Sequence, residues 1–100
     1  VSVNLEQDDT VCTIRLDGEM SIGSAAELKD LLLQSLSSGK ELCVDVSGVT
    51  WMDATALQLL YAAAREAHQT STVCRLESEV PGPVAEALAL AGLREFPIQP

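Results

Sequence analysis

Aromatic residues are scarce in this sequence: Trp51, Tyr61 and Phe96 are all it has. A core built from it must be aliphatic and rich in small side chains. Positive charge is scarce too. Six lysines and arginines stand against fifteen acids, a formal net charge of −9. That balance argues against nucleic acid and anionic membrane surfaces as main partners, because both need a basic face. No apolar run approaches the roughly 20 residues of a membrane-spanning helix, so direct membrane insertion is not expected. The one histidine, His68, has no second histidine to share a metal with and reads as a structural residue near a helix end. The cysteines, Cys12, Cys43 and Cys74, are odd in number and form no C-x-x-C pair. Each sits among apolar or β-branched neighbours, as a small buried hydrophobe in a strand would. They fit a reducing cytosol rather than a disulfide framework.

Catalytic signatures are also missing. There is no P-loop, no G-x-G-x-x-G, no H-E-x-x-H and no G-x-S-x-G. Asp45 and Asp53 are candidates for a carboxylate pair, but Asp45 lies inside an apolar strand and Asp53 precedes a helix, and both positions have structural uses. A phosphate receiver would need a lysine after a late strand, and neither Lys29 nor Lys40 is so placed, even if Asp17 and Glu19 imitate its acid pair. The expectation is therefore a protein that is not an enzyme, with no catalytic residue, no metal and no cofactor.

What is present is enough for a folded core. Apolar residues make up 47% and charged residues 21% of 100 residues, which excludes a disordered acidic tail and suits one domain over 1–100. The start, Val1-Ser2-Val3-Asn4, has neither a basic segment nor an apolar one and is not expected to be a signal peptide. Residues 1–6 read as a weak strand and 7–9 as a polar turn. The stretch from Thr10 to Asp17 alternates, with Cys12, Ile14 and Leu16 on one face, so an antiparallel hairpin is expected. Residues 18–23 read as a loop. Ser24 and Glu27 then form a capping box that starts a helix with Leu28, Leu31, Leu32 and Leu36 as its apolar stripe, and Ser37-Ser38-Gly39 ends it. Glu41 to Val46 is a short buried strand. A loop turning at Gly48 leads to Asp53, a good N-cap for a helix reaching about Gln69. Thr72 to Leu76 is a further strand. Pro81-Gly82-Pro83 opens a third helix with Val84, Ala87, Leu88 and Ala91 on one face, closed by Gly92. The pattern allows a short last strand from Leu93 to Ile98. The order ββαβαβα implies an α/β fold: a mixed sheet with parallel strands, an antiparallel edge and flanking helices.

The segment Asp45 to Leu57 is the most informative, because a strand ends there and a helix begins. Free amides at a helix start, together with its dipole, favour negative charge. The residues Asp45-Val46-Ser47-Gly48-Val49-Thr50-Trp51-Met52-Asp53-Ala54-Thr55-Ala56-Leu57 resemble the signature loop of STAS domains, the anti-anti-sigma factor fold. Gly18-Glu19-Met20-Ser21-Ile22 is similar to that family's Gly-Glu-Leu-Asp segment, and Ala89-Leu90-Ala91-Gly92-Leu93 to its closing helix and Gly-Leu turn. The resemblance implies a cytoplasmic, bacterial, STAS-like protein-interaction module of the anti-sigma factor antagonist kind, acting in signalling and the regulation of transcription. Its partner-binding surface would include Ser21, Ser47, Gly48, Asp53, Ala54 and Thr55.

In that family a serine after the loop aspartate is phosphorylated by a partner kinase that is also the anti-sigma factor. Here that position is Ala54, and the family's nearby aspartate is Ser21. The switch is then either absent or moved to Thr55, whose hydroxyl could otherwise bond to the backbone. The sequence also resembles STAS subunits of bacterial lipid-transport ATPase complexes and STAS proteins beside chemotaxis genes, so the implied partner is a kinase-like anti-sigma factor or a transporter or chemotaxis component. The net charge points to a basic partner patch. Met20, Ile22, Trp51 and Tyr61 are the apolar candidates for contact, with Trp51 expected more in the core than at an interface.

Overall fold

The computed structural model describes residues 2–99. Its elements are β1 (Ser2–Gln7), β2 (Val11–Met20), α1 (Ile22–Ser37), β3 (Glu41–Met52), α2 (Ala54–Gln69), β4 (Cys74–Leu76) and α3 (Gly82–Leu90). The strands form one sheet in the order β1-β2-β3-β4. β1 runs antiparallel to β2, while β2, β3 and β4 are mutually parallel. The α/β class and the order ββαβαβα are as the sequence implies.

The hairpin closes through Asp8. Its carboxylate accepts the amides of Thr10 and Val11, both at 2.8 Å, and these bonds hold the carboxyl below its usual pKa. On β2 the alternation buries Cys12, Ile14 and Leu16; Ile14 and Leu16 join Leu42, Val44 and Val46 of β3 in the core under α1 and α2. On the other face Arg15 reaches Asp45 (2.6 Å), Glu6 (3.4 Å) and Glu77 (3.9 Å), and Arg75 reaches Glu41 (2.6 Å). α3 ends in a paired turn: Gly92, at φ 75, donates to Ala89 O, and Leu93 donates to Leu88 O at 2.9 Å.

Several expectations change. First, residues 47–52 are strand rather than loop. β3 continues to Met52 beside β2, with register shifts between Arg15 and Asp17 and between Gly18 and Glu19. Each shift places an extra residue on β3, so its inward positions become Val46, Val49 and Met52. Gly48 has no turn to make; it sits beside Asp17 in the bulged stretch, where a Cβ would require the exposed Asp17 carboxylate to move aside.

Second, residues 18–23 are not a loop and Ser24 with Glu27 is not a capping box. β2 runs to Met20, which is fully buried, and α1 begins at Ile22 with Ser21 as N-cap. Ser24 lies buried inside the first turn and Glu27 is exposed. Once Met20 is fixed in the core, one residue is left to turn the chain. Third, Trp51 is 46% exposed rather than core. The second shift pairs it with Glu19 and sends Met52 inward in its place. Met20, by the same pairing, is no surface contact. Fourth, no strand forms over Leu93–Ile98. Pro97 lacks an N–H for a ladder, and a bond from Leu76 N to Gln99 O (2.8 Å) ties the segment to β4 while Phe96 and Ile98 fill the core. The strand expected from Thr72 also starts later, at Cys74, because the Thr72 amide is taken by Ala67 O at the end of α2 (2.8 Å).

Candidate functional site

β2 and β3 end side by side. Met20 and Met52 are register partners, and the Asp53 amide donates to Met20 O at 2.9 Å. The two following residues, Ser21 and Asp53, are the N-caps of α1 and α2, so two helix starts adjoin at one end of the sheet. Both caps are extended. Asp53 uses its side chain, Oδ1 accepting the Ala56 amide at 3.0 Å. Ser21 makes no side-chain cap bond. Ala54 is exposed and Thr55 half-buried in the first turn of α2, and among the described residues the Thr55 hydroxyl has no hydrogen-bond partner.

Of the residues expected to bind a partner, Ser21, Asp53, Ala54 and Thr55 therefore share one end of the molecule. Ser47 and Gly48 do not. They lie back along β3, roughly 17–20 Å from Asp53 at the rise of an extended chain, where the Ser47 amide donates to Asp45 Oδ1 at 2.9 Å. Partial burial pushes the Asp45 carboxyl up, but hydrogen bonds from Ser47 and Ser78 and the Arg15 charge outweigh it, so its pKa lies below the usual value. Asp45 thus ties strands together and Asp53 caps a helix; they do not form a pair that could share a proton. His68 is exposed in the last turn of α2. Burial, then the neighbouring Cys43, pushes the Cys74 thiol up to about 11, far from a reactive thiolate.

The helix start opens onto a groove of about 340 Å³ that the sequence reading missed. Thr50, Trp51, Asp53 and Ala54 form one wall, and Pro83, Glu86 and Leu90 of α3 form the other. Leu90 is 83% exposed. A signal for it exists: α3 buries Val84, Ala87 and Leu88, and Leu90 falls outside that stripe. The charged residues in the groove, Asp53 and Glu86, are both acidic. Among the described residues, no group of three or more His, Cys, Asp or Glu side chains could hold a metal, and no helix is long and apolar enough to cross a membrane.

The family described as "Mlab, STAS domain" matches residues 3–100. No curated protein matches the sequence. An anti-sigma factor antagonist from Mycobacterium paratuberculosis is similar in structure at TM-score 0.77 and 23% identity, over 99% of this chain and 85% of that one. The Bacillus cell fate determinant SpoIIAA in its phosphorylated form is similar at TM-score 0.73 and 17% identity, over 99% and 91%. A protein called Mglu matches at TM-score 0.66 and 16% identity over 76% of this chain, which spans only 19% of it. At such identities the likeness is one of fold.

Proposed function

This chain belongs to the STAS domain family, and from that premise we propose that it is a cytoplasmic protein-binding module of the anti-sigma factor antagonist kind, docking its partner where α2 begins. The observation that carries the proposal is the convergence of Ser21, Asp53, Ala54 and Thr55 at one exposed end, beside exposed Trp51 and Leu90. The chemistry there is recognition.

Ala54 occupies the position of the family's acceptor serine and cannot form a phosphate ester. Thr55 is the remaining hydroxyl in that turn. A phosphate on it would meet open amides at the helix start, which favour it, and the Asp53 carboxylate, which opposes it. The module is constitutive unless Thr55 is modified. A second reading keeps the surface and changes the system, to a lipid-transport ATPase complex or a chemotaxis component. It is supported by residues 53–60, Asp-Ala-Thr-Ala-Leu-Gln-Leu-Leu, which resemble those STAS subunits more than the regulators that carry the acceptor serine.

The test is binding of purified candidates from each class, a kinase-like anti-sigma factor, a transporter ATPase and a chemotaxis protein, measured by calorimetry. Ala54→Glu leaves folding intact, because an acid suits the first turn of a helix. It is expected to lower affinity for the true partner by roughly tenfold or more through lost fit and added charge. Unchanged affinity in every pair would refute the docking site. Incubation with the kinase and ATP, read by intact mass, separates a constitutive module from one switched at Thr55.

A further inference from the structure

We infer that the groove between Trp51 and α3 receives a basic amphipathic helix of the partner, its apolar side chains packed between Trp51 and Leu90 and an arginine or lysine set against Glu86. This rests on the docking reading above and adds to it the chemistry of the occupant. Two large apolar side chains, 46% and 83% exposed, flank the groove. An exposed tryptophan and an exposed leucine lining one groove, with polar residues around them, make the kind of apolar patch that interaction sites present.

Charge then selects among the occupants. Asp53 and Glu86 line the groove, no lysine or arginine does, and neither acid is ion-paired among the described residues. Glu19, exposed and in register with Trp51, adds a third acid on the neighbouring strand. Two of the six bases, Arg15 and Arg75, are engaged on the open face of the sheet. A second copy would bring a net charge of −9 against acids, and nucleic acid or anionic lipid would bring phosphates. A cationic segment is the complement. Its guanidinium would also find the face of the Trp51 indole. Another groove, between α1 and α2 and about 490 Å³, carries Lys29 and Glu66 together and so selects no sign of charge.

Trp51 is the only tryptophan, so its emission reports on the groove directly. The probe is a synthetic helical peptide of about four turns with a leucine stripe flanked by arginines; its control replaces the arginines with glutamates. The arginine peptide is expected to shift Trp51 emission to shorter wavelength with saturation, and to bind more weakly at about 0.15 M salt than at about 0.01 M. Glu86→Lys and, separately, Leu90→Ser should each weaken that binding roughly tenfold. Both positions are exposed, and circular dichroism checks that the variants fold. Equal response to both peptides would overturn the inference. So would self-association in sedimentation, or a shift with anionic phosphatidylglycerol vesicles but not with the peptide. If Ala54→Glu abolishes binding of the true partner while Glu86→Lys and Leu90→Ser leave it intact, the groove inference falls and the docking site stands. If none of the three matters, both fall.

Discussion

The molecule makes the same junction twice. At each, a parallel strand ends on a buried methionine, one extended residue turns the chain, and a helix of 16 residues follows. Met20-Ser21-Ile22 and Met52-Asp53-Ala54 even share a register pair and a backbone bond. They differ in what happens at the turn. Asp53 reaches forward to the Ala56 amide, whereas Ser21 leaves its helix start without a side-chain cap. The second junction is also walled by α3 and rimmed by acids, while beyond the first Ile22 stands 76% exposed. A helix start is therefore not by itself a site for anions. At α2 the protein supplies the negative charge through Asp53, and what remains for a partner is shape, apolar surface and an acidic rim.

The largest effect should come where the junctions are alike. Met20 and Met52 are 0% and 1% exposed, and truncation of either to alanine is expected to cost about 2–5 kcal/mol through lost burial and a residual cavity. Urea unfolding of Met20→Ala and Met52→Ala measures both. A difference between them of more than about 3 kcal/mol, the width of that range, would break the equivalence of the two strand ends. A smaller effect should come where they differ. Asp53→Ala removes a cap bond and is expected to cost about 1 kcal/mol. Ser21→Ala removes no such bond and should stay within about 0.5 kcal/mol. Equal losses in the same unfolding experiment would refute the distinction between the caps.

The sequence showed one junction more clearly than the other, for a physical reason. Asp53 before an apolar periodic run is a cap signal that works locally, and the structure has it there. Ser24 and Glu27 carry an equally good local signal, but the burial of Met20 draws the helix start three residues earlier and the motif is overridden. The alternation of Cys12, Ile14 and Leu16 identifies β2 because nothing disturbs its period of two. In β3 the two register shifts change the inward spacing from two to three, so Ser47 to Met52 imitates a loop and Trp51 imitates a core residue. At the site, Ser21, Asp53, Ala54 and Thr55 were reached through family resemblance, by position in a motif. The α3 wall was not: the stripe of α3 leaves Leu90 outside the core, but that Leu90 and Trp51 line one groove depends on how the third helix packs.

The last contrast concerns what precedes each junction, and its effect is the smallest. β3 enters its turn through a bulged stretch pinned by Asp45, which accepts from the Ser47 amide at 2.9 Å, Ser78 Oγ at 3.1 Å and Arg15 at 2.6 Å. These partners hold the Asp45 carboxyl below its ordinary pKa despite its burial. A carboxylate whose pKa is lower folded than unfolded contributes stability above the unfolded value, and that contribution is lost as pH falls through the folded one. The relevant window therefore lies below about pH 4, the ordinary carboxylate range. Asp45→Asn should lower Tm at pH 7 by an amount corresponding to less than about 1 kcal/mol, because the Arg15 ion pair is partly open to solvent. The gap between wild type and Asp45→Asn should narrow as pH falls below about 4, since the protonated wild-type side chain then loses what the amide already lacks. A gap that is constant from pH 7 to pH 3 would mean that the ionised carboxylate does not hold the bulge, and that the backbone pairing of β2 with β3 maintains the path to α2 unaided.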